Sequence, residues 1–263
     1  MAYTKADLKH DLAAMGLTGN ETILIHSSMK SIGPVEGGAD TVLDAWMEFF
    51  AEGLLLLPTH TWRFINEENR VFDVRRSPCC VGILPELFRQ RPGVVRSLHP
   101  THSMAAYGKG AAAYLEGELD ANTPCTPGGC YDRLRAAHGK VLLLGVTHAR
   151  NTFIHSVEEV LNVPNRLTDK PLQLTVVDEA GGAAHRLYAP PLQRTAAAHL
   201  GGFRQAGTGV SGLRRSPEHK IWRCKMHFVR RRGGFSGSPA MFLPRTPRPL
   251  SPSRSFRRSA GRR

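Results

Sequence analysis

The sequence lacks the features that mark membrane-spanning, secreted or disulfide-stabilised proteins. Its longest apolar run, GLLLLP, is far shorter than the roughly 20 residues that a membrane-spanning helix needs. The opening stretch MAYTKADLKHDLAAMG contains no apolar segment typical of a signal peptide. The five cysteines are an odd number, and none forms the paired CxxC spacing of a zinc site. We therefore expect a cytoplasmic protein with reduced thiols and no membrane partner.

Acidic residues are almost missing from the last quarter of the chain. Residues 201–263 contain 16 lysines and arginines but a single acidic residue, Glu218, whereas the first 200 residues contain 19 basic and 21 acidic residues. Toward that end of the chain the hydrophobic periodicity also fades, and Pro, Ser and Arg dominate. We expect a nearly neutral body, residues 1–190, followed by a basic tail, residues 191–263, that does not fold.

The basic tail makes nucleic-acid binding one alternative function, because Lys and Arg neutralise phosphates. The aromatic residues of the tail do not follow the interleaved pattern of a base-stacking surface. We therefore expect no specific nucleic-acid partner.

Helical and strand patterns alternate along the body. Thr4 and Asp7 have the spacing of a capping box at the start of a helix. The apolar segments ETILIHSS, GLLLLPTHT, VVRSLHPTHSMAAYG and KVLLLGVTH predict strands, and GILPELFRQRPG and CYDRLRAAHG predict helices. The segment PLQLTVVDEAGG either extends the sheet or begins a hairpin. This order predicts an α/β fold in which helices flank a mixed central sheet.

Polar turns with histidines follow several of these strands. His26, His60 and His148 each lie at the end of an apolar run, and RSLHPTHS adds His99 and His102. Because ligands of α/β sheets usually bind beyond the carboxyl ends of the strands, we expect the functional site there.

One histidine has a carboxylate placed to orient it. On a helix that begins near Thr152, His155 and Glu158 share a face one turn apart, with Glu159 as the other possible partner. A carboxylate bound to one imidazole nitrogen makes the other nitrogen a better general base.

A metal-dependent hydrolase is a second enzymatic alternative. It would use His99, His102, His155 and Glu158 as zinc ligands, because zinc sites often combine closely spaced histidines with a distant ligand. Pro100 prevents the helical presentation of the first two histidines, so we expect no metal.

Six segments together resemble one enzyme family. The segments LIHSSMKSIGPVEGGADTVLDA, PTHTW, GILPELFRQRPGVVRSLHPTHSMAAYG, TPCTPGGCYDRL, KVLLLGV and NTFIHSVEEVLNVPNR occur in the order and spacing of the aminoglycoside 3-N-acetyltransferases. The resemblance covers residues 4–182. It implies the antibiotic acetyltransferase fold, unrelated to the GNAT acetyltransferases. It also implies acetyl transfer from acetyl-CoA, as cosubstrate, to the 3-amino group of a 2-deoxystreptamine aminoglycoside or another small amine, which gives antibiotic resistance.

The resemblance also implies roles for particular residues. The catalytic base of the family corresponds to His155, and the acid that orients it corresponds to Glu158. The residues that line the coenzyme site correspond to His26, Ser27, Ser28, Lys30, Ile32, Gly33, Arg96, Ser97, His99 and Ser103. Among these, Lys30 and Arg96 are the expected phosphate partners by charge.

The resemblance stops before the C-terminal strands of the family, which contain a segment of the form GxAxCxLxD. Read one nucleotide later, the codons of residues 220–231 force glycine at the third position and cysteine at the seventh, and they permit the whole motif. We hypothesise that a frameshift between about residues 182 and 220 produced the basic tail, and that the body is therefore C-terminally incomplete.

Overall fold

The computed structural model describes residues 2–191 and the backbone of residues 225–229. In this part of the chain the α-helices are α1 (Lys5–Ala14), α2 (Met29–Ile32), α3 (Gly38–Phe49), α4 (Ile83–Phe88), α5 (Ala111–Leu115), α6 (Cys130–Ala136) and α7 (Phe153–Val160). The strands are β1 (Thr22–Ser27), β2 (Leu54–Pro58), β3 (Val71–Asp73), β4 (Val95–Arg96), β5 (Met104–Gly108), β6 (Lys140–Leu144), β7 (Leu172–Val177), β8 (Ala183–Tyr188) and β9 (Lys225–Val229). None of the helices that the structure describes is long and apolar enough to cross a membrane.

Six strands form the central sheet, in the order β4-β5-β2-β1-β6-β9. Strands β2, β1, β6 and β9 are parallel to one another; at one side β5 is antiparallel to β2, and β4 is antiparallel to β5. Strand β1 lies between its partners with Ile23 opposite Leu55 and Leu24 opposite Val141. The expected mixed α/β sheet is therefore confirmed.

Both faces of this sheet are covered, which explains why its strands read as continuous apolar runs. On one face, α1, α3 and α4 contribute Leu12, Trp46 and Phe88 to a core with alternate residues of the strands. On the other face, α6 and α7 contribute Leu134 and Phe153 to a second core. The two cores hold the central strands in place, so the polar turns that follow these strands also have fixed positions.

The predicted capping box is confirmed at the start of α1. The backbone N–H of Asp7 donates to Thr4 Oγ1 at 3.2 Å, and the backbone N–H of Thr4 donates to Asp7 Oδ2 at 2.9 Å. These two bonds satisfy amide groups that an uncapped helix leaves without partners.

Of the two alternatives for the segment PLQLTVVDEAGG, the hairpin is confirmed: the segment begins β7-β8, and β7 joins β3 in a separate three-stranded sheet. One expectation about strands needs correction. The segment predicted as one long strand forms two short strands, β4 and β5. The residues between them turn because side chains replace strand partners: the Met104 N–H donates to Ser97 Oγ, and the His102 N–H donates to His99 Nδ1.

Part of the predicted basic tail has regular structure. Residues 225–229 form β9, which pairs in parallel register with β6 from Lys140 to Leu144. Residues 192–224 and 230–263 lie outside the described part of the chain, and with them the rest of the expectation that the tail does not fold.

Candidate active site

The polar ends of parallel strands meet at one edge of the central sheet, as the sequence predicts. His26 lies near the end of β1, and Thr59 and His60 follow directly after β2. The antiparallel strand β5 begins at this same edge, because Met104 pairs with Pro58. The histidine-bearing segment before β5 is therefore brought beside the turns of β1 and β2.

His155 and Glu158 form a hydrogen-bonded pair at this edge. His155 Nδ1 lies 2.8 Å from Glu158 Oε2 on one face of α7. The side chain of Asn151 accepts a hydrogen bond from the Phe153 N–H at 3.2 Å and so starts the helix. The His155 side chain is 34% exposed, so a ligand can reach it. With Nδ1–H bound to the carboxylate, the lone pair of the ring lies on Nε2, where a general base needs it.

His26 and Ser27 present buried polar atoms that no described residue satisfies. His26 Nε2 and Ser27 Oγ are both inaccessible to solvent and have no hydrogen-bond partner in the described part of the chain. Burial, reinforced by the charge of His155, lowers the pKa of His26 to about 3, so its ring is neutral. Because buried polar groups in proteins are almost always paired, each of these two atoms requires a partner other than the described residues, such as a water molecule or a group of a ligand.

The rest of the first loop forms a tight turn with one exposed cation. The Ser28 N–H donates to the Leu144 carbonyl at 3.0 Å, which ties the loop to β6. Ile32 packs against the core, and Gly33 has a φ of 99°, a conformation that favours glycine. Lys30 is exposed and keeps its ammonium group in solvent. Lys30 is thus the member of this loop that can meet a phosphate.

Arg96 does not have the environment expected of a phosphate partner. Its guanidinium is buried and donates to the carbonyl oxygens of Thr59, Val74 and Ser77 at 2.8, 3.2 and 2.6 Å. Its Nε–H donates to Ser103 Oγ at 3.1 Å. Because these protein oxygens take up its donors, we assign Arg96 to the framework beneath the site.

Ser97, His99 and Ser103 also belong to this buried framework. Ser97 Oγ accepts the Met104 N–H, and Ser103 Oγ donates to the Thr59 carbonyl at 2.7 Å. His99 Nε2 lies 2.8 Å from the Thr123 carbonyl, which can only accept, so the proton is on Nε2. These three residues shape the loop, and their side chains do not line an open surface.

The alternative zinc site is not assembled. His99 Nδ1 accepts backbone N–H groups and its Nε2 donates to a carbonyl, so neither nitrogen is available to a metal. His102 Nδ1 lies 2.9 Å from Thr101 Oγ1 and 3.2 Å from Tyr188 Oη. Within residues 2–191, no group of three His, Cys, Asp or Glu side chains is arranged to hold a metal ion.

A buried ionic cluster that the sequence did not predict lies behind the His155 pair. Arg166 lies between Glu158 and Glu159, with Nη1 3.4 Å from Glu158 Oε2 and Nη2 2.8 Å from Glu159 Oε1. The Cys125 N–H donates to Glu159 Oε1 at 3.0 Å, and Thr123 Oγ1 donates to Glu159 Oε2. Glu159, the other candidate partner of His155, is thus engaged with this cluster. The only sequence signal was an arginine that follows a helix with two adjacent glutamates.

A polar cleft of about 510 Å³ opens beside Glu158. Its lining includes Glu158, Glu159, Asp169 and Lys170, together with asparagines of the segment after α7. Carboxylates on its wall give the cleft a surface that can receive an amine.

Comparisons with known proteins agree on one family. The sequence model of the aminoglycoside 3-N-acetyltransferases matches residues 24–212. Aminoglycoside N(3)-acetyltransferase VII of Streptomyces paromomycinus and aminoglycoside N(3)-acetyltransferase IX of Micromonospora chalcea are each 33% identical to the chain over 181 residues. Each match covers 62% of this chain, and it covers 62% and 64% of those two proteins. The chain thus spans less than two thirds of the length of these relatives.

Solved structures of acetyltransferases share the fold. A variant of aminoglycoside acetyltransferase AAC(3)-IVa in complex with a gentamicin is 28% identical, with a TM-score of 0.61 over 72% of this chain and 70% of that chain. AAC-IIIb in a binary complex with CoASH has a TM-score of 0.67 over 80% of this chain and 86% of that chain. At 23% identity, the second likeness shows the fold alone.

Proposed function

The chain belongs to the aminoglycoside 3-N-acetyltransferase family, and on that premise we propose that it transfers an acetyl group from acetyl-CoA to the 3-amino group of a 2-deoxystreptamine aminoglycoside. The product amide carries no positive charge, so the reaction would weaken an antibiotic that binds as a polycation. The observation that carries the proposal is the 2.8 Å contact between His155 Nδ1 and Glu158 Oε2 at the sheet edge.

His155 acts as the general base in this proposal. An amine that is protonated at neutral pH is not a nucleophile until it has lost its extra proton, and a neutral amine must lose another as it becomes an amide. His155 Nε2 takes that proton while the amine nitrogen bonds to the thioester carbonyl carbon and the carbon–sulfur bond breaks. The imidazolium then returns the proton to the departing sulfur, which leaves as a thiol. Glu158 holds the ring and stabilises its positive charge.

His26, Ser27 and Lys30 are the residues that we propose for contact with acetyl-CoA. The unpaired His26 Nε2 and Ser27 Oγ support this assignment, because no described residue supplies their partners and His26 interacts electrostatically with His155. The exposed Lys30 supplies the charge for a phosphate of the coenzyme. Ser28, Ile32 and Gly33 maintain the turn that presents them.

The acceptor amine is proposed to bind in the cleft beside Glu158. The relative AAC(3)-IVa was crystallised with a gentamicin, and this supports an aminoglycoside as the acceptor class here. Glu158 and Glu159 on the cleft wall are paired with Arg166, whereas the exposed carboxylate of Asp169 on the same wall would attract a polycation. The free thiols of the described cysteines and the use of acetyl-CoA both suit the cytoplasm as the place of reaction.

We retain the hypothesis of a frameshift in the C-terminal part. The match to the family model ends at residue 212, inside the interval where we place the change of frame. Strand β9, at Lys225–Val229, belongs to residues 220–231, whose codons permit the missing motif when they are read in the later frame. A coding sequence whose later frame meets early stop codons would refute this hypothesis.

The decisive experiment measures thiol release from acetyl-CoA with a panel of 2-deoxystreptamine antibiotics. The chain as printed and a version restored to the later frame are compared, each beside its His155→Ala variant. We expect turnover that falls at least about 100-fold in His155→Ala, the usual contribution of a general base. Turnover that survives this substitution, or acetylation of a different amine, would refute the proposal. Activity of the restored version alone would place an essential group in the missing strands.

A further inference from the structure

We propose that Arg166 is a positioning residue for acetyl transfer: its guanidinium bridges Glu158 and Glu159 and so fixes Glu158 in the orientation that binds His155. This inference rests on the function proposed above. Arg166 does not touch the reacting atoms, and it acts only through Glu158.

One carboxylate oxygen connects the three side chains. His155 Nδ1 lies 2.8 Å from Glu158 Oε2, and Arg166 Nη1 lies 3.4 Å from that same oxygen. The Arg166 side chain is only 8% exposed, so water screens this contact weakly. A buried guanidinium at this distance opposes rotation of Glu158 away from the imidazole.

Glu159 anchors the other end of the guanidinium. Its carboxylate is 5% exposed and receives hydrogen bonds from Arg166 Nη2, the Cys125 N–H and Thr123 Oγ1. The loop that contains Thr123 and Cys125 is packed against the body, so it holds Glu159 in place. Glu159 in turn fixes one end of the Arg166 guanidinium, and the other end contacts Glu158. The planar fork of arginine suits this bridge, whereas the single ammonium of lysine cannot reproduce it.

The backbone reverses direction after α7, and this reversal places Arg166 beside the helix. The Asn162 N–H donates to the Glu159 carbonyl and the Val163 N–H to the Glu158 carbonyl, both at 3.0 Å. These are the two bonds of a Schellman turn, and Asn162 has the left-handed φ of 48° that this turn requires. Asn165, with a φ of 57°, makes a second reversal directly before Arg166.

Arg166 acts on His155 through Glu158. His26, His60 and His102 interact electrostatically with His155, and burial lowers the pKa of all three, so they are uncharged at neutral pH and cannot replace the carboxylate. Without Arg166, Glu158 could turn away from the imidazole, and the protonated ring that forms during the reaction would lose this stabilising partner.

The test follows the imidazole of His155 directly. Protein labelled with ¹⁵N-histidine is titrated by NMR, with the His155 signals assigned from their loss in His155→Gln. We expect Arg166→Met to move the titration midpoint of His155 downward by about 0.5 pH unit or more, because Glu158 no longer stabilises the protonated ring. Arg166→Lys keeps the charge but cannot bridge both glutamates, and we expect it to shift the midpoint in the same direction. An upward shift would show that Glu158 still holds the ring and would overturn the inference. If Arg166→Met does not fold, Arg166→Gln also removes the charge while it keeps a donor for Glu159.

Arg89→Met is the matched control. Arg89 is 7% exposed and pairs with Glu86 at 2.6 Å, far along the chain from α7. The Arg89→Met variant therefore loses a comparable buried ion pair, and we expect the titration midpoint of His155 to stay unchanged in it. An unchanged midpoint in folded Arg166→Met or Arg166→Gln, or an equal shift in Arg89→Met, would overturn the inference.

Kinetics supply the second readout. In the active enzyme we expect Arg166→Met to lower kcat about 10- to 100-fold and to leave the KM for acetyl-CoA within about twofold, because Arg166 acts on the base through Glu158. The NMR titration needs no turnover. Inactivity of both the parent and the version restored to the later frame would thus refute the proposed function, while the His155 midpoint would still decide the role of Arg166.

Discussion

Tyr131 Oη lies 2.7 Å from His60 Nε2 in the interior beneath the candidate site. Both side chains are buried, and the ring of His60 is 4.7 Å from the ring of His102. Burial holds the pKa of both histidines well below the usual value. The layer under the site therefore contains neutral, hydrogen-bonded rings beside the buried guanidinium of Arg96, and the carboxylate that faces His155 belongs to α7.

Tyr131→Phe tests whether this layer depends on its hydrogen bonds. The substitution leaves His60 Nε2 buried without its partner, and we expect it to lower the free energy of unfolding by about 1–3 kcal/mol. Urea denaturation measures the loss. Tyr114→Phe is a suitable comparison, because Tyr114 Oη donates only to the Cys130 carbonyl, at 2.7 Å, and does not involve a histidine. A stability equal to that of the parent would contradict the role assigned to Tyr131.

The buried histidines predict a loss of stability on mild acidification. Burial lowers the pKa of His26, His60, His99 and His102 in the folded protein, whereas in the unfolded chain they titrate near 6.5. Below that value the unfolded state binds more protons, so the free energy of unfolding falls as the pH falls. Each fully neutral histidine contributes up to about 1.4 kcal/mol for every pH unit.

For His26 this loss continues until the pH approaches about 3, where its folded form is protonated. Urea denaturation at about pH 7.5 and about pH 5 measures the effect in a range where most carboxylates stay ionised. Equal stability at the two values would show that these rings are not buried in the neutral form.

Substitutions of Arg96 and Lys30 should distinguish a residue that supports the fold from a residue that contacts the coenzyme. Arg96→Met leaves several buried carbonyl oxygens without donors, and we expect a loss of about 3 kcal/mol or more in the free energy of unfolding. Lys30→Ala removes an exposed charge, and we expect stability within about 0.5 kcal/mol of the parent. The KM for acetyl-CoA should nevertheless rise several-fold in Lys30→Ala. Calorimetry and steady-state kinetics on the two variants make the distinction, and the reverse pattern would contradict it.

Glu158→Gln tests the carboxylate while it preserves the shape of the side chain. Glutamine can still accept a hydrogen bond from Nδ1–H, but it cannot stabilise the imidazolium that forms during the reaction. We expect kcat to fall about 10- to 1,000-fold with little change in KM. Loss of substrate affinity with an unchanged kcat would instead indicate that Glu158 binds the acceptor.

The sequence predicted the central sheet and the His155 pair because both depend on local patterns. Continuous apolar strands indicated a sheet covered on two faces, and the spacing of His155 and Glu158 is set by the helix that carries them. It did not predict the position of Arg96, since its charge suggested a ligand, whereas carbonyl oxygens distant in sequence, such as that of Thr59, surround it. The role of Arg166 was missed for the same reason, because the turn that returns it to α7 depends on two asparagines in left-handed conformations.

The pairing of β6 with β9 has a consequence for the protein during its synthesis. Strand β6, KVLLL, is apolar along most of its length, and in the described part of the chain β9 covers the side that faces away from β1. A nascent chain that has emerged only as far as residue 191 would present β6 as an unprotected edge with free backbone donors and acceptors. Such an edge recruits other chains, so aggregation competes with folding until the last strand arrives. Chaperone dependence should therefore rise sharply in any version of this protein that ends before residue 225.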